Sequence, residues 1–81
     1  MQVRHTDRFW REYHNAPASI RRAFDRRVAL LAENLQHPSL RAKKYDEARD
    51  TWQARVNLDW RFYFRIEGDT YLLLSIIRHP K

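Results

Sequence analysis

The chain has 81 residues, 43% of them apolar, and a formal net charge of +6 at neutral pH. A chain near this size buries about 60% of its unfolded surface, which suffices for one core, so residues 1–81 are expected to form a single domain. The absence of cysteine excludes disulfides and thiolate metal sites, and a single glycine with three prolines argues against linkers and low complexity.

In chain order, Met1 to Arg4 suits a short edge strand. From Asp7 to about His14, Phe9, Trp10 and Tyr13 recur at helical spacing. Ala16-Pro17 breaks that pattern, and Pro17 fits the first position of a second helix. In that helix Ile20, Phe24, Val28, Leu31 and Leu35 form one apolar stripe. Pro38 disfavours helical geometry at His37, so the helix is expected to stop near Gln36. His37 to Thr51 is polar and aperiodic, and reads as loop.

From Trp52 the period changes to two. Trp52, Ala54, Val56 and Leu58 point one way, and Gln53, Arg55, Asn57 and Asp59 the other. After a tight connection near Asp59, Trp60, Phe62, Phe64 and Ile66 form an apolar face opposed by Arg61, Tyr63 and Arg65. Glu67-Gly68-Asp69 reads as a hairpin turn with the glycine at positive φ. Tyr71 to Arg78 is apolar on both faces and suits a central strand. The expected fold is α+β: two N-terminal helices packed on one face of a small antiparallel sheet.

The longest apolar run, Tyr71 to Ile77, is interrupted by Ser75 and falls well short of the roughly 20 residues of a membrane span. The N-terminus lacks an apolar signal core. A cytoplasmic protein without a membrane partner is the expectation. The histidines at 5, 14, 37 and 79 show no metal-ligand spacing, so neither metal nor cofactor is expected.

Thirteen arginines against three lysines favour bidentate recognition of phosphate or carboxylate. A polyanion partner is implied, either nucleic acid or an acidic protein. Arg55, Arg61 and Arg65 project from the uncovered sheet face with Gln53, Asn57 and Tyr63. That face is either a solvated surface with cross-strand ion pairs or a phosphate platform on which Tyr63 stacks a base. The run Arg41 to Lys44 is either plain solvated loop or a means of hanging Lys43 or Lys44 over the same face.

Asp59 and His79 end at one edge of the sheet if the last two strands form a hairpin. Two registers are open. A two-residue turn at Gly68-Asp69 sets Arg78 opposite Asp59 as an ion pair, whereas a three-residue loop sets Tyr71, Ser75 and His79 on the arginine face.

The pieces "HPSLRAKK", Trp52-x-x-Arg55-Val56, Asp59-Trp60, "EGDT" and an aliphatic strand ending in His79 resemble, in order and spacing, the RelE/ParE superfamily of type II toxins. The likeness is to its RelE- and YafQ-like branch and covers about half the chain, His37 to His79. The resemblance implies a ribosome-dependent mRNA endonuclease. It would act by metal-independent attack of the 2′-hydroxyl, leaving a cyclic phosphate and a 5′-hydroxyl, and so block translation. By the same resemblance Arg55, Asp59, Arg61 and His79 are the catalytic candidates. Lys43, Lys44, Tyr63, Arg65 and Arg78 are the RNA-binding ones. The implied partners are a small cognate antitoxin, bound in a hetero-oligomer, and the ribosome with its mRNA.

Two departures stand out. Only Pro80 and Lys81 follow His79, where relatives carry a tail with an aromatic residue. Ile76 and Ile77 replace the usual small residues. The alternatives are therefore a catalytically weak member that mainly binds its antitoxin, or a ParE-like gyrase inhibitor built on the same fold.

Overall fold

The computed structural model describes residues 1–79. Strand β1 (Gln2–His5) leads into helix α1 (Asp7–Asn15), and α2 (Ala18–Glu33) follows. A single 3-10 turn (Pro38–Leu40) precedes β2 (Lys43–Asp46), β3 (Thr51–Arg55), β4 (Trp60–Glu67) and β5 (Thr70–Arg78). The five strands lie in the order β1-β5-β4-β3-β2. No helix among the described residues is long and apolar enough to cross a membrane.

The sheet is mixed rather than antiparallel. β1 pairs parallel to β5, with Val3 opposite Tyr71, while the other pairings are antiparallel. Periodicity shows which face of a strand is buried but not which way its neighbour runs, so the direction of β1 was invisible in the sequence. β5 lies between β1 and β4 rather than at the sheet's edge, in keeping with its two apolar faces.

Local chemistry sets the helix ends. Thr6 caps α1, its hydroxyl accepting from the Phe9 amide at 3.1 Å. Pro17 sits at the N-cap of α2, and the last turn is closed by the Asn34 amide donating to the Leu30 carbonyl. That end falls at Glu33, before the expected Gln36. Ile20, Phe24 and Leu31 of the α2 stripe are buried, and Val28 and Leu35 are partly buried beside them. They meet Phe9 of α1 and Ala54, Phe62, Phe64, Tyr71, Leu73 and Ile76 of the sheet. Phe24 stands edge-on to Phe62 with ring centroids 5.1 Å apart.

Past His5 the chain leaves β5, whose edge would otherwise be bare. Helix α1 covers it. The Thr6 amide and hydroxyl donate to the carbonyls of Leu73 and Leu74. The Glu12 carboxylate accepts from the Ser75 hydroxyl at 2.7 Å and the Ile76 amide at 3.3 Å.

The segment expected to be loop is partly ordered. Pro38 starts the 3-10 turn, and Leu40 within it is fully buried. Arg41 then takes a left-handed conformation, φ 46° and ψ 42°, and β2 pairs with β3. One buried side chain in fifteen residues leaves no periodic signal, although burial of that side chain ties the segment to the core.

Candidate cationic site

Two hairpin details place the site. The β4–β5 connection is a two-residue turn with Glu67 opposite Thr70 and Gly68 at φ 60°, the geometry a glycine in the first central position serves. Between Tyr63 and Phe64 the register then shifts, and Leu74 is the extra residue. Beyond this bulge Arg61 faces Ile77, Trp60 faces Arg78, and the His79 amide donates to the Asp59 carbonyl at 2.5 Å.

The result combines parts of both anticipated registers. The turn has two residues, yet His79 rather than Arg78 lies across from Asp59. Ser75 and His79 reach the arginine face, while Tyr71 stays in the core opposite Ile66. Arg78, expected among the RNA-binding residues, stands on the helix-side face with Trp60, beside Glu12 and Asn15.

The β3–β4 connection is held by side chains. The Asn57 side-chain oxygen accepts from the Asp59 and Trp60 amides, each at 2.9 Å. One terminal nitrogen of Arg61 donates to the carbonyls of Asn57 (2.7 Å), Leu58 (3.2 Å) and Trp60 (3.0 Å). The strand therefore ends at Arg55, before the expected Leu58, which is 78% exposed at the loop tip.

Beside this loop a hollow of about 590 Å³ opens, lined by Pro38, Arg41, Ala42, Lys43, Gln53, Arg55, Arg61 and His79. No carboxylate lines it among the described residues. Arg55 and Arg61 are direct cross-strand partners, an arrangement of like charges that costs stability. Arg61 is only 8% exposed. Arg55 is held below the ordinary guanidinium range, first by desolvation and then by repulsion from Arg41 and Arg61. Its buried Nε has no hydrogen-bond partner among the described residues.

The remaining candidates are distributed as follows. Lys43 lines the hollow. Lys44 turns to the other face, paired with Asp50 and Glu47 and lying 5.1 Å from the centre of the Trp52 ring. Asp59 sits in the β3–β4 loop and does not line the hollow. Tyr63 and Arg65 share the arginine face but lie outside the hollow. Pro80 and Lys81, the short tail, fall outside the described residues.

Sequence reasoning passed over Arg41 and treated Gln53 only as part of the polar face. The signal for Arg41 was its place after the Pro38 break, at the head of the basic run. Left-handed backbone in a residue other than glycine or asparagine is uncommon, and here it lies at the rim of the cation cluster.

The architecture is that of the RelE/ParE toxin fold. The chain superposes on the YoeB/ParE toxin from Agrobacterium tumefaciens with a TM-score of 0.83, at 14% identity over 99% of this chain and 100% of that one. RelE in the RelB–RelE antitoxin–toxin complex from Methanococcus jannaschii gives 0.78, at 17% identity over 94% and 89%. YafQ from Escherichia coli gives 0.77, at 14% identity over 96% and 92%. No family model and no curated protein matches the sequence.

Proposed function

We propose that the chain is the toxin of a type II toxin–antitoxin system and cleaves messenger RNA on the ribosome. The observation that carries this reading is the hollow itself: three arginines, a lysine and a histidine around a cavity that no carboxylate lines among the described residues. Charge of one sign, gathered at a cost in stability, suits a phosphate.

The reaction requires little else. The 2′-hydroxyl attacks the adjacent phosphorus, the O2′–P bond forms, the P–O5′ bond breaks, and a 2′,3′-cyclic phosphate and a 5′-hydroxyl result. One proton leaves the 2′-oxygen and one is delivered to the 5′-oxygen. His79 is the imidazole placed in the hollow to exchange a proton, and Arg41, Arg55 and Arg61 stabilise the charge developing on phosphorus. The other proton passes through water. A single positioned acid–base group contributes about 10²- to 10⁴-fold, so a modest nuclease is the expected one.

The proposed antitoxin is a small protein presenting an acidic segment to the hollow. The fold's occurrence in RelB–RelE complexes supports such a partner.

Brief induction in a bacterial host, with primer extension on chosen transcripts, tests the reading. The parent should arrest growth and leave new 5′ ends within reading frames, and His79→Ala and Arg55→Ala should produce neither. Arrest with intact transcripts and induced DNA-damage signalling identifies a gyrase-directed inhibitor instead. Undiminished arrest by both variants refutes the site.

A further inference from the structure

The hollow occupies only one end of the arginine face. Toward the other end the sheet carries a second, shallower depression of about 250 Å³, lined by Arg8, Tyr45, Thr51, Tyr63, Leu74, Ser75 and Ile77. Its construction is specific. Both sheet irregularities meet there: Tyr45 is the extra residue at the β2 register shift, and Leu74 is the extra residue in β5. Bulges re-aim side chains and are over-represented beside functional sites. Here they set an exposed tyrosine and a leucine on either side of Tyr63.

Tyr45 is 61% exposed, and its ring meets Tyr63 edge-on with centroids 5.0 Å apart. A large exposed aromatic ring held in place by another ring is a ready platform for a base. The depression adjoins the hollow through neighbouring cross-strand pairs. Gln53 of the hollow faces Tyr63, and Arg61 of the hollow faces Ile77.

Further along the same face, Arg65 pairs with Leu72, which pairs in turn with Arg4. The Arg65 Nε, like that of Arg55, is buried without a hydrogen-bond partner among the described residues. Glu12 on the α1 side is engaged by Arg8, Ser75 and Ile76, and Glu67 follows Arg65 by two residues on the same face of β4. The face thus reads cation, aromatic, cation across the sheet.

We infer that this face holds a single strand of RNA longer than the segment at the hollow, with Tyr45 and Tyr63 stacking a flanking base and Arg65 and Arg4 binding a further phosphate. The inference rests on the function proposed above and adds a second nucleotide subsite to it. Alternation of positive charge with exposed rings is how sequence-tolerant single-strand surfaces are built.

Binding of 2′-O-methyl RNA, which cannot be cleaved, separates the outcomes. A trimer and a hexamer are titrated against the parent, Tyr45→Ala, Tyr45→Phe, Arg65→Gln and Arg55→Ala. Tyr45→Ala should weaken the hexamer about tenfold, and Tyr45→Phe should restore it. The trimer should be indifferent to both. Arg65→Gln should lower the salt slope for the hexamer by about 0.7.

If Tyr45→Ala and Arg65→Gln leave hexamer binding unchanged while Arg55→Ala weakens both oligomers, the second subsite is wrong and the hollow stands. If Arg55→Ala also changes nothing, the function proposed for the hollow fails with it. Binding of a poly-glutamate peptide with no binding of the hexamer overturns the inference in favour of a protein partner.

Discussion

Arg55 and Arg61 face each other directly across β3 and β4, two guanidinium groups on adjacent strands whose shared space no carboxylate lines among the described residues. Like charges placed this way oppose folding, and desolvation and repulsion already depress the Arg55 pKa. Replacing Arg55 with glutamine should therefore raise the stability of the domain while abolishing growth arrest. Thermal melts at low salt, where the repulsion is least screened, give the first quantity, and induction in the host gives the second. A variant that is both less stable and inactive contradicts this account.

Arg61 behaves differently, because it holds the loop as well as facing the hollow. Its terminal nitrogen serves three carbonyls, those of Asn57, Leu58 and Trp60. Arg61→Ala should cost about 1–3 kcal/mol of stability in addition to activity. Denaturant titration should show a lower midpoint with an unchanged slope. His79→Ala, at an exposed strand end, should leave the midpoint within about 0.5 kcal/mol of the parent, which makes it the cleaner test of chemistry.

Leu40 links the polar stretch to the core. It is fully buried between α2 and the sheet, and Leu40→Ala should cost about 2–5 kcal/mol. The same substitution should loosen the 3-10 turn that carries Arg41 to the rim. A chemical melt measures the first effect. Amide hydrogen exchange over residues 38–46 should reveal the second as lost protection.

The alkaline limb of stability has a definite sign. Burial, with a hydrogen bond to Asp25 next in importance, raises the phenol of Tyr13 above 10.0. Burial likewise raises Tyr63 and Tyr71, and a hydrogen bond to Asp50 raises Lys44 above 10.5. A group with a raised folded pKa contributes its stability fully below the unfolded value and loses it as pH climbs through the folded one. Stability should hold up to about pH 9 and decline beyond about pH 10. Tyr71→Phe should make the decline shallower, as read from denaturant midpoints across that range.

The sequence by itself determined the helical stripe from Ile20 to Leu31, the alternation that buries Phe62 and Phe64, and the face that Arg55, Arg61 and Tyr63 share. Each follows from side-chain periods of 3.6 and 2, which are local properties. It also marked the turn at Gly68 and the break at Pro38, where backbone geometry is restricted residue by residue. Tertiary structure decided the direction of β1, the anchoring of Leu40 and the left-handed turn that brings Arg41 to the hollow. It decided the fate of His79 as well. One extra residue at Leu74 reverses which face every later side chain occupies, turning Arg78 toward the helices and His79 toward the arginines. A bulge is set by how a whole strand best fits its partner and the packed helices. That energy belongs to pairs of distant residues, so no stretch of the chain read alone contains it.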